Sequence, residues 1–182
     1  MQFLLGVSRR IDAANIYLGK ALGWLILVAG GVSAVNAVIR YALNASSNAW
    51  LETQWYLFGA VFLLGAGYTL LEHEHIKIDI VNARLSKSTR DWIDLLGHLL
   101  FLTPFCLVMI YGGTQFFWRA FVSKEYSSSA GGLILWPAKL LVPLGFAILL
   151  AQGFSEIIKR IAIMRGLIDD PHPAPGGHAT VD

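Results

Sequence analysis

Polar and ionisable side chains are scarce in the long apolar parts of this 182-residue chain, so the few that lie there are where chemistry would be sought. Lys139 falls in the last apolar stretch near one end, and Glu52 stands at the start of the second. A lysine in such a place either snorkels its ammonium to water or pairs with a carboxylate. Glu52 and Glu125 are the pairing candidates, within the chain or through a partner. His98 is the histidine inside an apolar stretch; His73, His75, His172 and His178 lie outside. Bis-histidine haem ligation would need two on facing helices, so His98 reads as a packed or hydrogen-bonded residue. Asn36, Gln115 and Gln152 sit towards the ends of their stretches and suit contacts between helices. Cys106 is the single cysteine, which excludes an internal disulfide and a cysteine metal cluster. No nucleophile–base pattern, phosphate loop or zinc spacing occurs. These residues do not make an enzyme, and no cofactor is expected.

The elements that must position them are four uncharged apolar stretches, at residues 21–39, 53–71, 95–118 and 140–155. About twenty helical residues at ~1.5 Å each cross the ~30 Å hydrocarbon core. The fourth stretch reaches full length when residues 133–139 are included. The expected fold is an all-α membrane protein with four transmembrane helices, roughly 18–40, 52–72, 92–118 and 134–157, in one domain over residues 1–165. Hydrophobic residues make up 55% of the chain and charged ones 14%, with a mean hydropathy of +0.58. A soluble protein carries about 25% charged residues. Once four spans are subtracted, no room is left for a soluble catalytic domain. Arg9, Arg10 and Lys20 before an apolar run resemble a signal peptide, but the run is long enough to span and lacks an Ala-x-Ala site, so it reads as a retained helix. The Pro- and Gly-rich residues 166–182 read as a disordered cytoplasmic tail.

Positive charges orient the spans. Ten Lys and Arg fall on the side of the termini and of the loop between spans two and three; four (Arg40, Arg119, Lys124 and Lys139) fall on the other. Because positive flanks stay cytoplasmic, both termini are expected inside. The six tryptophans lie near span ends, where the headgroup layer favours them. Asp79 caps a short helix that carries Ile80, Val81 and Leu85 on one face, giving an interfacial cytoplasmic segment between helices two and three. Ser88-Thr89-Arg90-Asp91 reads as a capping box that starts helix three near Thr89. Gly19 with Gly23, Gly30 with Ala34, and Ala147 with Ala151 and Ser155 have the four-residue spacing of close helix contacts. Pro104 and Pro143 should kink helices three and four.

The order of these residues resembles the small membrane subunit of tripartite ATP-independent periplasmic (TRAP) transporters, the DctQ type. The resemblance runs from Glu52, Trp55 and Tyr56 through Gly65 and Tyr68-Thr69-Leu70-Leu71. It continues in His75-Ile76-Lys77-Ile78-Asp79-Ile80, then Glu125-Tyr126-Ser127, Gly131-Gly132-Leu133, Trp136-Pro137-Ala138-Lys139 and Pro143. It covers about residues 15–160. Many members have two adjacent acids where this chain has Glu52-Thr53. The resemblance implies a bacterial inner-membrane scaffold. It would join a large sodium-coupled permease subunit that takes up a small organic acid delivered by a periplasmic binding protein. Membrane lipids would be its other partners, and nucleic acid would not be one. Glu52, Trp55, His75, Asp79, Glu125 and Lys139 become the candidate partner-contact or structural residues. The alternatives are a self-assembling four-helix channel or exporter, which usually needs an acid deep in helix one, and an electron-transfer subunit, which needs paired intramembrane histidines.

Overall fold

A computed structural model describes residues 1–43, 47–72 and 86–169. These residues are helical apart from short connections: α1 (Gln2–Leu43), α2 (Asn48–Leu71), α3 (Lys87–Val122) and α4 (Trp136–Met164). All four are long and apolar enough to cross a membrane. The anticipated interfacial helix, with His75 and Asp79, lies outside the described residues.

In lipid, apolar surface gives helices little reason to associate. Close packing of small residues and polar ties must hold them. α4 occupies the centre and packs against the other three; α1 also packs on α2, whereas α3 rests on α4 without a comparable contact to α1 or α2. The buried residues of α1 are Ser8, Asn15, Leu22, Ala29 and Asn36, each seven after the last. A strict seven-residue seam makes a helix pack with a left-handed twist about its neighbours. α3 turns Cys106, Gly113 and Ala120 to α4 on the same period. Glycines set the closest approaches. A Cβ on Gly145 of α4 would stand 2.6 Å from the Leu63 carbonyl oxygen of α2, and one on Gly19 would stand 2.5 Å from the Tyr68 ring. The four-residue pairs anticipated from the sequence are only partly used: Gly23 and Gly30 meet nothing within 4 Å, and Ala34 and Ala147 are exposed. The period of seven, not four, places residues on the seam.

The first helix starts at Gln2, well before the span expected from hydropathy. Its 42 residues reach ~63 Å, about twice the hydrocarbon thickness. The N-terminal turns are polar on the face towards α4, so hydropathy alone does not reveal them. Helix three begins at Lys87, with Ser86 as its cap: the Ser86 hydroxyl accepts from the Thr89 amide at 3.2 Å. That corrects the Ser88–Asp91 capping box, because Asp91 is used by α4 instead.

Within α3, residues Gly97–Leu102 form one wide π turn immediately before Pro104. A proline lacks an amide hydrogen and crowds the carbonyl four residues back. The wide turn absorbs this: the Thr103 amide and hydroxyl both reach the His98 carbonyl, the hydroxyl at 2.8 Å. Two helices end in the Schellman geometry, in which the second residue past the cap bonds back to the third-last carbonyl. Glu125 donates to Ala120 past the left-handed Lys124 (φ 49°), and Leu167 donates to Ala162 past Gly166 (φ 67°).

Candidate functional site: polar ties at both ends of the bundle

At one end, the start of α2 grips the connection between α3 and α4. That connection folds back on itself: Tyr126 and Ile134 form an antiparallel bridge, and the Ser127 amide donates to Leu133 at 2.9 Å. Glu52, only 6% exposed, accepts from the Ser127 hydroxyl with one carboxylate oxygen and from the Leu133 amide, at 2.6 Å, with the other. Tyr56, one turn on, donates its hydroxyl to the Ile134 carbonyl at 2.9 Å, and the Asn48 side chain donates through Nδ2 to the Ala130 carbonyl at 2.9 Å. Gly132 is necessarily small, since a Cβ there would lie 2.5 Å from Ser127 Cβ and 2.8 Å from the Glu52 carboxylate. α2 thus holds the α3–α4 hairpin through its loop.

Of the two carboxylates considered for Lys139, Glu125 takes it: the ammonium donates to Glu125 and lies 4.2 Å from the Phe116 ring centroid. Glu125 is 42% exposed and Lys139 14%, so the lysine stem is packed while its partner remains wet. Trp55 is exposed and takes no part in the ties. Trp24 and Trp118 are exposed too; Trp136 packs edge-on against Phe117 and Phe121.

The opposite end, where α1 starts and α4 finishes, holds a larger network. Ser8, Asp12 and Asn15 share a face of α1 at helical spacing; Gln152, Ser155, Glu156 and Lys159 share one of α4. Gln152, wholly buried, accepts from Asn15 at 2.9 Å and donates to Asp12 and Glu156, each at 2.9 Å. Ser155 donates to Asp12 at 2.7 Å, and the Ser8 and Ser155 hydroxyls are 2.7 Å apart. Lys159 supplies the countercharge, 3.2 Å from Asp12 and 2.6 Å from Glu156. Beside it, the Arg160 guanidinium spans two carboxylates of α3, Asp91 at 2.9 Å and Asp94 at 2.7 Å. Asn15 Oδ1 is buried without a hydrogen bond, and a Cβ on Gly67 would stand 2.6 Å from it. His98 donates through Nδ1 to the Asp94 carbonyl at 2.6 Å; a carbonyl only accepts, so Nδ1 carries the proton.

Between α2 and α3, Leu70, Ile93, Gly97, His98, Phe101 and Phe105 line an open, mainly apolar groove of about 660 Å³. Among the described residues no cluster of three His, Cys, Asp or Glu could hold a metal ion. Glu52, Asp12, Asp91, Asp94 and Glu125 are engaged by donors from other elements, and Glu156 by Gln152 and Lys159 of its own helix. Such an arrangement fixes helices relative to one another. Sequence reasoning singled out Glu52, Glu125 and Lys139 but passed over the α1–α4 network. Its signal was present in Ser8, Asp12 and Asn15 at spacings of four and three, and in the 152–159 run. It was passed over because helix one was expected to start near residue 18.

No curated protein and no solved structure shows significant similarity to the chain. A family model described as "Tripartite ATP-independent periplasmic transporters, DctQ component" matches residues 29–162.

Proposed function

The chain belongs to the DctQ family of TRAP transporter components, and from that premise we propose that it is the fixed scaffold beside a large sodium-coupled permease subunit. The complex takes up a small organic acid delivered by a periplasmic binding protein, across the bacterial inner membrane, with both termini of this chain cytoplasmic. The observation that carries this reading is where the charges go. Glu52, Asp12, Lys159, Arg160 and Lys139 lie at the two ends of the bundle and are consumed in ties between its own elements, and Glu156 is held by Gln152 and Lys159 of its own helix. An ion-coupled pathway usually exposes ionisable groups to a cavity at membrane depth. A part against which another must slide needs the opposite, groups locked in place.

The test is uptake by cells that express the large subunit and the binding protein with or without this chain, using a panel of radiolabelled carboxylates and sulfonates. Sodium-dependent uptake of at least one should require all three proteins. Undiminished uptake without this chain would remove the scaffold role. A periplasm-dependent reporter fused after residue 165 should be inactive; activity there would invert the topology.

A further inference from the structure

The face of α3 that points away from α4 is apolar and aromatic except for one glutamine, a side chain for which lipid offers no partner. With Cys106, Gly113 and Ala120 turned to α4, the opposite side carries Pro104, Val108, Tyr111, Gln115, Trp118 and Val122, at alternating steps of four and three. All six are exposed. Gln115 lies seven residues from the helix end, about 10 Å inside it, and makes no hydrogen bond with any described residue. Its amide has two donor hydrogens and an acceptor oxygen, and lipid tails can satisfy none of them. Thr114 next to it avoids the problem by donating to its own helix at Ile110, 2.7 Å away. One turn beyond Gln115, the exposed Arg119 has no acidic partner among the described residues.

We infer that this stripe of α3 is the surface on which a transmembrane helix of the large permease subunit docks. The steps of three and four suit a helix packed at a shallow left-handed angle. The docked helix presents a hydrogen-bonding side chain opposite Gln115, and a carboxylate at the height of Arg119 complements the cation. The inference rests on the scaffold reading above. It adds the face, and with it the orientation: α4 is the inner core of the small subunit and α3 its outward wall.

The test is site-specific photocrosslinking in the membranes of cells that make both chains, with p-benzoylphenylalanine placed at Tyr111, Gln115 or Trp118, and at Trp24 of α1 and Phe62 of α2 as exposed comparisons. Irradiation is expected to join the α3 positions to the large subunit and leave the comparison positions free. Separately, Gln115→Leu should weaken co-purification with the large subunit about three- to tenfold. The midpoint of thermal unfolding of the isolated chain should not move, because no bond within it is lost. Adducts to the large subunit from Trp24 or Phe62 alone would overturn the assignment of the face. Adducts only to a second copy of this chain would overturn the partner, and an α3 face that crosslinks to no protein would make it a lipid surface. Failure of the two unmodified chains to co-purify at all would count against the scaffold reading itself.

Discussion

At the scale of single residues, Glu52 and Lys139 look alike in the sequence, as lone charges at the ends of apolar runs, but the structure gives them different weight. Glu52 is nearly sealed and receives a hydroxyl and a backbone amide from the α3–α4 connection. Removing it as Glu52→Ala leaves those donors without an acceptor, at a cost of about 1–3 kcal/mol. Lys139→Met leaves Glu125, which is 42% exposed and can return to water, so its cost should stay below about 1 kcal/mol. Thermal unfolding in detergent should rank the two in that order; a reversed ranking would mean the loop is not held by Glu52. Glycines permit a second comparison. Gly145→Ala drives a methyl into the Leu63 carbonyl, a backbone atom that cannot step aside, whereas Gly59 has open space around it. Gly145→Ala should lower the unfolding midpoint and the yield of folded protein. Gly59→Ala should leave both unchanged or slightly raised, since alanine favours helix by about 1 kcal/mol.

At the scale of elements, α3 depends on a different kind of tie from its neighbours. Its membrane-embedded part meets α4 through Cys106, Gly113 and Ala120, while its first turns are held by Arg160 across two carboxylates. Arg160→Met should therefore loosen Lys87–Leu96 without unseating the rest of the helix. Hydrogen exchange of amides 87–96 should rise several-fold while that of 106–120 stays slow; uniform acceleration would show that the arginine holds the whole helix. The existence of the four helices was legible in the sequence because an uncharged run of about twenty residues has few other fates. The seams were not legible. Gly23 with Gly30 and Ala34 look as suitable for contact as Gly19, and only the partner helix decides which of them is covered. The α1–α4 network escaped for a related reason. Ser8, Asp12 and Asn15 form a polar stripe that resembles a solvated face until Gln152 and Glu156 are brought opposite. The loop-end tie was half legible: Glu52 stood out as a charge, but its partners, a serine and a backbone amide in the α3–α4 connection, carry no mark of their own.

At the scale of the whole molecule, the two polar ties lie at opposite ends of a bundle whose middle is joined by small residues and little else. Glu52 acts through the start of α2 and the α3–α4 loop, and Gln152 through the start of α1 and the end of α4. They share no partner, and sixteen residues of α4 separate Trp136 from Gln152, about 24 Å of helix. Perturbations that far apart, with no shared partner, add to within about 0.5 kcal/mol when the chain unfolds in a single transition. Gln152→Leu should by itself cost about 2–3 kcal/mol, because Asn15 loses its acceptor and two carboxylates lose a donor. The double variant Glu52→Ala with Gln152→Leu should then show the sum of the two single shifts in unfolding midpoint, with one cooperative transition. A stator must behave in this way, because force applied at one end has to be resisted at the other. Two separate transitions in the double variant, or a shift much smaller than the sum, would mean that the ends unfold independently. The bundle would then be a flexible pair of hairpins, unsuited to stand still while a neighbour moves.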